Sequence, residues 1–241
     1  MYLNLGRFSE EQMNGMLLTS CQMGEVSERV RFLSGQLLGI AYRESTLIGN
    51  RDIPEVLVVN LQGVDCFTFA EYVEAMRSSE SLAVFFKNLK MVRYRSGIVS
   101  FQNRNHFFTD WREFNTNRVH DVTVGIGGAK AERIVKILNK KNDGTLFLQG
   151  ILPVQRELTY IPSEAIDDSV LGKLTTGDYI GIYSETSGLD VSHVGIIIKN
   201  DTGVWIRHAS AQEKYREVID QDLEEYISRK PGIIVLRPKD I

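Results

Sequence analysis

The sequence predicts an α+β fold, a mainly antiparallel sheet from the C-terminal part of the chain packed on helices from the N-terminal third. Three observations predict it. Apolar residues recur at helical spacing up to about position 90, gather after 160 in short β-branched runs divided by turn residues, and between about 91 and 160 follow neither rule. A length of 241 residues suits one domain, so residues 1–241 are read as a single unit with a mixed insertion at about 91–160.

Residues 8–18 and 25–41 carry helical patterns, the second through Val26, Val30, Leu33, Leu37 and Leu38 with Ser27 as an early cap. Over 66–77, Phe69, Val73 and Met76 form one stripe with Ala70 beside it, and Asp65 stands where an N-cap belongs, so Cys66 opens a helix. A further helix is expected over 81–90. In the insertion, the apolar runs Ile98 to Phe101 and Val119 to Ile126 are broken by polar and Gly-rich stretches such as G-I-G-G, and K-A-E-R-I-V-K-I-L-N-K-K at 130–141 reads as a solvated face. Tyr179 to Tyr183, Val194 to Lys199, Val204 to Ala209 and Ile233 to Leu236 are the expected strands, and 220–228 is expected to be a helix leading into the last of them.

Hydrophobic residues at 43% and charged residues at 24% are the balance of an ordinary globular protein, and a net charge of −3 offers no long-range attraction to nucleic acid. No apolar run approaches the ~20 residues that cross a bilayer, and the first residues lack the plan of a secretory signal. The expected compartment is the periplasm or exterior if a leader has been removed, and otherwise the cytoplasm. Two cysteines, Cys21 and Cys66, are too few for a disulfide framework, although one bridge between them is possible. His106, His120, His193 and His208 lack the spacing that places two imidazoles on one ion, so neither metal nor other cofactor is expected.

A thiol attacks as thiolate, and a helix N-terminus beside an imidazole favours that form; Cys66 meets the first condition. Read alone, it is equally a small buried hydrophobe. The segments V-S-H-V-G-I-I-I-K and G-V-W-I-R-H-A-S, joined through N-D-T, read as a β-hairpin. An even loop puts His193 and His208 on one face, and with Asn200 and Asp201 as that loop they stand directly opposite. His193 is then the candidate general base and His208 the group that orients it, whereas a lone strand histidine is more often a satisfied structural residue. Gly195, on the same face, leaves room for the helix end bearing Cys66, or is a packing glycine.

D-C-F-T-F-A-E at 65–71, N-R-N-H-F-F-T-D-W at 103–111, G-L-D-V-S-H-V-G-I at 188–196 and R-H-A-S at 207–210, with G-I-I-V-L-R-P near the end, resemble the N-acetylmuramoyl-L-alanine amidase-like branch of papain-like, NlpC-type cell-wall cysteine hydrolases. The resemblance implies a papain-like core, a peptidoglycan or muropeptide substrate, metal-free catalysis, and Cys66, His193 and His208 in the three catalytic positions. It also implies Tyr42, in G-I-A-Y-R-E-S-T-L, as a tyrosine bordering the nucleophile. Arg104, His106 and Trp111, near Asp110, are candidate substrate contacts because Arg offers a planar fork and Trp a stacking face; the other reading is a structural turn around a buried Trp. Ser192, just before His193, completes that set. The expected reaction is thioester-mediated cleavage of the amide between N-acetylmuramic acid and L-alanine. The alternatives are a stem-peptide endopeptidase cutting after D-glutamate and, from another class, a non-catalytic glycan-binding module or a thiol acyltransferase.

Overall fold

The computed structural model describes residues 1–240. In chain order the described residues form β1 (Tyr2–Asn4), α1 (Glu10–Cys21), α2 (Val26–Gln36), β2 (Ala41–Tyr42), β3 (Val58–Asn60), β4 (Gly63–Val64), α3 (Cys66–Met76) and α4 (Leu82–Arg93). They continue with α5 (Asp110–Phe114), β5 (Val119–Asp121), α6 (Thr123–Gly127), β6 (Glu132–Leu138), β7 (Val154–Pro162), α7 (Asp168–Lys173), β8 (Tyr179–Tyr183), β9 (Val191–Asn200), β10 (Gly203–Ala209), β11 (Val218–Asp222), α8 (Leu223–Ile227) and β12 (Gly232–Pro238). The α+β expectation holds: eight strands build one antiparallel sheet in the order β11-β10-β9-β8-β12-β7-β6, with β5 also paired to β12.

Three expected elements are redrawn. The helix expected over 25–41 stops at Gln36, because Gly39 takes φ +77° and the chain turns so that Ala41–Tyr42 can pair with β4. Its N-cap is Glu25, with no side-chain cap bond, rather than Ser27. The helix expected over 220–228 is mostly strand at its start: β11 takes Val218–Asp222 and leaves only Leu223–Ile227 helical. The insertion also has more β-structure than its pattern showed, since β6, an edge strand with a largely exposed side, pairs with β7 over seven residues.

The sheet separates two apolar layers. On one face Val194, Ile196 and Ile198 of β9 pack with Leu17, Leu33, Phe69, Val73, Phe85 and Leu89 of the N-terminal helices. On the other, Ile180, Ile197, Ile206 and Val235 meet Val170 and Leu171 of α7 and Leu223 and Ile227 of α8. Each such side chain contributes about 1.5–3 kcal/mol of burial. The alternation along β9 is therefore real, and from His193 onward it aims the odd-numbered residues toward the layer of α7 and α8.

Helix α3 lies between the sheet and the neighbouring helices α2 and α4 and is buried on nearly every side, so its acidic residues need internal partners. Glu71 meets Arg93 at 2.7 Å. Glu74 accepts from Arg77 at 2.7 and 2.8 Å and from the Tyr179 hydroxyl at 2.8 Å, while Arg77 also donates to the Arg118 and Lys239 carbonyls. These bonds tie the C-terminal end of α3 to β8 and to the end of the chain. Its N-terminal end is thereby held at the cleft.

Candidate active site

Cys66 is placed by its neighbours in sequence. β4 runs parallel to β2, with Tyr42 in register with Val64, and Asp65 then closes a capping box. Its Oδ1 accepts from the backbone N–H of Phe67 at 3.0 Å and of Thr68 at 2.7 Å, while the Asp65 N–H donates to the Thr68 hydroxyl at 3.0 Å. Asp65 thus takes up two first-turn donors and leaves the Cys66 N–H beside its own thiol. The thiol is not lowered as its helix position suggested. Burial pushes it up to about 12, and the Asp65 carboxylate adds to the rise, outweighing the pull of the Val194, Cys66 and Phe67 backbone N–H groups.

His193 and His208 are bonded to each other, Nε2 to Nδ1, at 2.7 Å, and His208 Nε2 lies 2.8 Å from Gln221 Oε1. An amide oxygen only accepts, so His208 carries its proton on Nε2. His208 Nδ1 must then accept from the Nε2–H of His193, which leaves His193 Nδ1 with a free lone pair. Three side chains therefore fix one tautomer. The Tyr226 ring lies 4.9 Å from His208 and 6.1 Å from His193, closing the other side of the pair. Burial lowers His193 to about 3, helped by His208 and Lys230, and lowers His208 to about 4. Thiol and imidazole are both neutral at rest.

The expected even loop is present, but it is Asp201–Thr202, as the register runs from Gly203↔Asn200 to Arg207↔Ile196. His193 and His208 therefore share a face yet stand diagonally rather than directly opposite. Between β8 and β9, His193 pairs with Ile182 and Val191 with Tyr183, so Ser192 is an extra residue in a β-bulge. A bulge at this point re-aims His193 at the strand's end. Gly195 serves packing: a Cβ there would lie 2.5 Å from the Ile206 side chain and 3.2 Å from the Arg207 carbonyl, so the space belongs to the neighbouring strand and not to α3.

Cys66, Ser192 and His193 line one cavity of about 370 Å³, with Phe67, Phe108 and Asp190 among its walls. His106 reaches it too; its Nε2 lies 2.8 Å from the Phe101 carbonyl, and burial lowers it to about 4. Tyr42 is half-buried; burial raises its hydroxyl and the nearby Cys66 adds to the rise, which puts the phenol within electrostatic reach of the sulfur. The other two expected substrate contacts are placed otherwise. Arg104 closes its fork on the Glu55 carboxylate and the Gly49 carbonyl, so it braces the 49–55 loop and is not free to take a ligand carboxylate. Trp111 is 0% exposed against Phe67, Phe108 and Tyr179, so it stacks on the core and not on a sugar.

Cys21 is exposed and Cys66 is a free thiol, so the possible bridge is not formed. His120 is exposed on β5. Among the described residues no three His, Cys, Asp or Glu side chains are grouped to hold a metal ion, and no helix is long and apolar enough to cross a membrane. Sequence reasoning missed Gln221, Tyr226 and Asp190. The alternation V-I-D-Q-D at 218–222, which puts Ile219 and Gln221 on one face, was the available signal for Gln221. Asp190 is buried and accepts from the Thr109 N–H and hydroxyl at 2.7 and 2.8 Å, anchoring the insertion beneath the start of β9.

Solved structures resemble this chain over nearly its whole length. An N-acetylmuramoyl-L-alanine amidase from Bacteroides uniformis is 26% identical, with 95% of this chain and 100% of that one covered and a TM-score of 0.71. A Legionella pneumophila protein at 24% identity, covering 96% of both chains with a TM-score of 0.78, shares the fold. A Bacteroides fragilis protein provisionally named a xylanase is 26% identical over 85% of this chain and 98% of its own, with a TM-score of 0.67. No curated protein matches the sequence. The model of the family described as N-acetylmuramoyl-L-alanine amidase-like matches residues 32–233, more than half the chain and the stretch that holds Cys66, His193, His208 and Gln221, and the chain therefore belongs to that family.

Proposed function

We propose that this protein is a cysteine amidohydrolase that cleaves the amide between N-acetylmuramic acid and L-alanine in peptidoglycan or its fragments. The observation that carries the reading is the chain Gln221–His208–His193, which leaves a lone pair on His193 in the cavity that also holds the Cys66 thiol. Family membership and the amidase neighbour support the amide class. In this reading the 241 residues are one domain with a papain-like, NlpC-type core, and the insertion at about 91–160 walls the cleft. A xylanase reading would call for two carboxylates flanking the scissile bond, whereas the cavity at Cys66 is lined by one, Asp190, committed to Thr109.

Because thiol and imidazole are both neutral at rest, the thiol proton passes to His193 Nδ1 as the sulfur attacks, not beforehand. The sulfur–carbon bond forms and the carbonyl electrons move to oxygen, where the Cys66 N–H at the start of α3 is the available donor. His193, now imidazolium, donates through Nε2 to His208 Nδ1, and the Nε2–H of His208 stays directed at Gln221 Oε1. The carbon–nitrogen bond breaks as His193 returns its proton to the leaving amine. Water, activated by the same nitrogen, then hydrolyses the thioester to a carboxylic acid and the free thiol.

Mass spectrometry of a muropeptide digest tests the bond. Free stem peptides that begin with L-alanine, together with the peptide-free sugar, are the expected products. Stems shortened after D-glutamate would instead make the protein an endopeptidase.

A further inference from the structure

A second cavity, of about 430 Å³, adjoins the one at Cys66, and the two share His106 and Phe107 as their common wall. It is built around three charged side chains. Asp110 is fully buried; its Oδ1 accepts from Arg156 Nη1 at 2.8 Å and its Oδ2 from the Phe107 N–H at 3.1 Å, and Arg95 stands 3.6 Å from Oδ2. The Arg95 guanidinium lies over the Phe114 ring at 4.0 Å, and its buried Nε has no hydrogen-bond partner among the described residues. Arg156 is satisfied by Asp110 and the Thr109 hydroxyl, which leaves Arg95, 3.6 Å from Asp110, as the guanidinium open to a ligand within walls that include Ile151 and Leu152. A stacked, half-buried guanidinium with an unmet N–H is a site prepared for a carboxylate.

We propose that this Arg95–Asp110–Arg156 cavity is the subsite for a carboxylate of the peptide on the leaving-amine side of the scissile amide. The inference rests on the amidase reading above, because it uses the chemistry of that substrate. The lactyl carboxyl of the sugar is consumed in the amide, so every free carboxylate of a muramoyl peptide lies on its peptide. A third cavity, of about 610 Å³, shares Phe147 and Leu148 with the one at Cys66 and is lined by Ser45, Thr46, Asn50, Arg51, Asp52 and Asp65, with Arg104 already bound to Glu55. Arg51 there is exposed and stands 4.0 Å from Asp52, so the hydroxyls, the amide and the paired charges of this cavity suit a sugar better than a free carboxylate. The difference between the two cavities assigns the peptide carboxylate to the Arg95 side.

The test compares kcat/KM on two N-acetylmuramoyl-tetrapeptides, one with all carboxyls free and one with all as carboxamides. The wild type is expected to favour the free acid by about 10-fold, the worth of one charged hydrogen bond. Arg95→Ala is expected to remove most of that ratio and Arg95→Lys to keep part of it. Side-chain exposure of 35% makes Arg95 a tolerant site for such changes, and thermal melting checks that each variant is folded. Cleavage of both substrates with no preference, or a ratio unchanged in Arg95→Ala, overturns the subsite alone. Cleavage of neither substrate by the wild type overturns the amidase reading and the subsite with it.

Discussion

Replacing Gln221 by Leu should disable the base without touching either histidine. The bond from His208 Nε2 to Gln221 Oε1, at 2.8 Å, is what holds the proton of His208 on Nε2. Without an acceptor there, the buried N–H is orphaned at a cost of about 1–3 kcal/mol, and an orphaned lone pair is the lesser cost. The chain of protons then favours its reversed state, in which His208 Nδ1–H donates to His193 Nε2. In that state His193 Nδ1 already carries a proton and cannot accept one from Cys66. At 1.4 kcal/mol per decade, kcat/KM should fall about 10-fold. Gln221→Glu, which still accepts from Nε2–H, should restore activity close to that of wild type. Rates of muropeptide cleavage near pH 7, with melting curves for each variant, provide the assay. A Gln221→Leu enzyme at the wild-type rate would refute the tautomer argument, and equal losses in Leu and Glu variants would reduce Gln221 to a packing role.

Three further outcomes follow from the same geometry. With the thiol pushed up to about 12 and the facing imidazole lowered to about 3, iodoacetamide labelling of Cys66 should keep rising with pH through 9 in the absence of substrate; a plateau below pH 7 would show a preformed ion pair instead. His106, His193 and His208 are all lowered by burial, so below pH 6.5 the unfolded chain takes up protons that the folded chain refuses until about pH 4 to 3. Stability should therefore be fully present above pH 6.5 and fall toward pH 4, and urea midpoints that do not move over that window would contradict the burial of these rings. Glu74→Ala strands Arg77 and Arg118 in the core and should destabilise the protein by about 3–5 kcal/mol, lowering Tm by roughly 10 °C; a shift within a degree or two would mean that the network is dispensable.

The parts of this site written in local periodicity were legible. Asp65 as cap and Cys66 as the first helical residue follow from one apolar stripe and one residue type, and the structure repeats both. The shared face of His193 and His208 followed from parity alone, which survives a loop shifted by one residue, whereas direct opposition did not survive it. What was hidden depended on distant partners. Arg104 looked available because Glu55 lies 49 residues earlier, and Trp111 looked like a sugar platform until Phe67 and Tyr179 closed on it. β11 was masked because its polar side chains cover a sheet edge, and Gln221 was masked with it. The high thiol pKa could not be read from the helix N-terminus, since burial, set by the whole fold, outweighs the local dipole.

Turnover by Cys66→Ala is the most direct measurement of the central claim. The variant removes one sulfur at a half-buried position and should keep the wild-type melting temperature within a few degrees. The account predicts that release of free amine from muropeptides falls by at least about 10³-fold, to the limit of detection. A folded Cys66→Ala protein that releases the amine at the wild-type rate would contradict it.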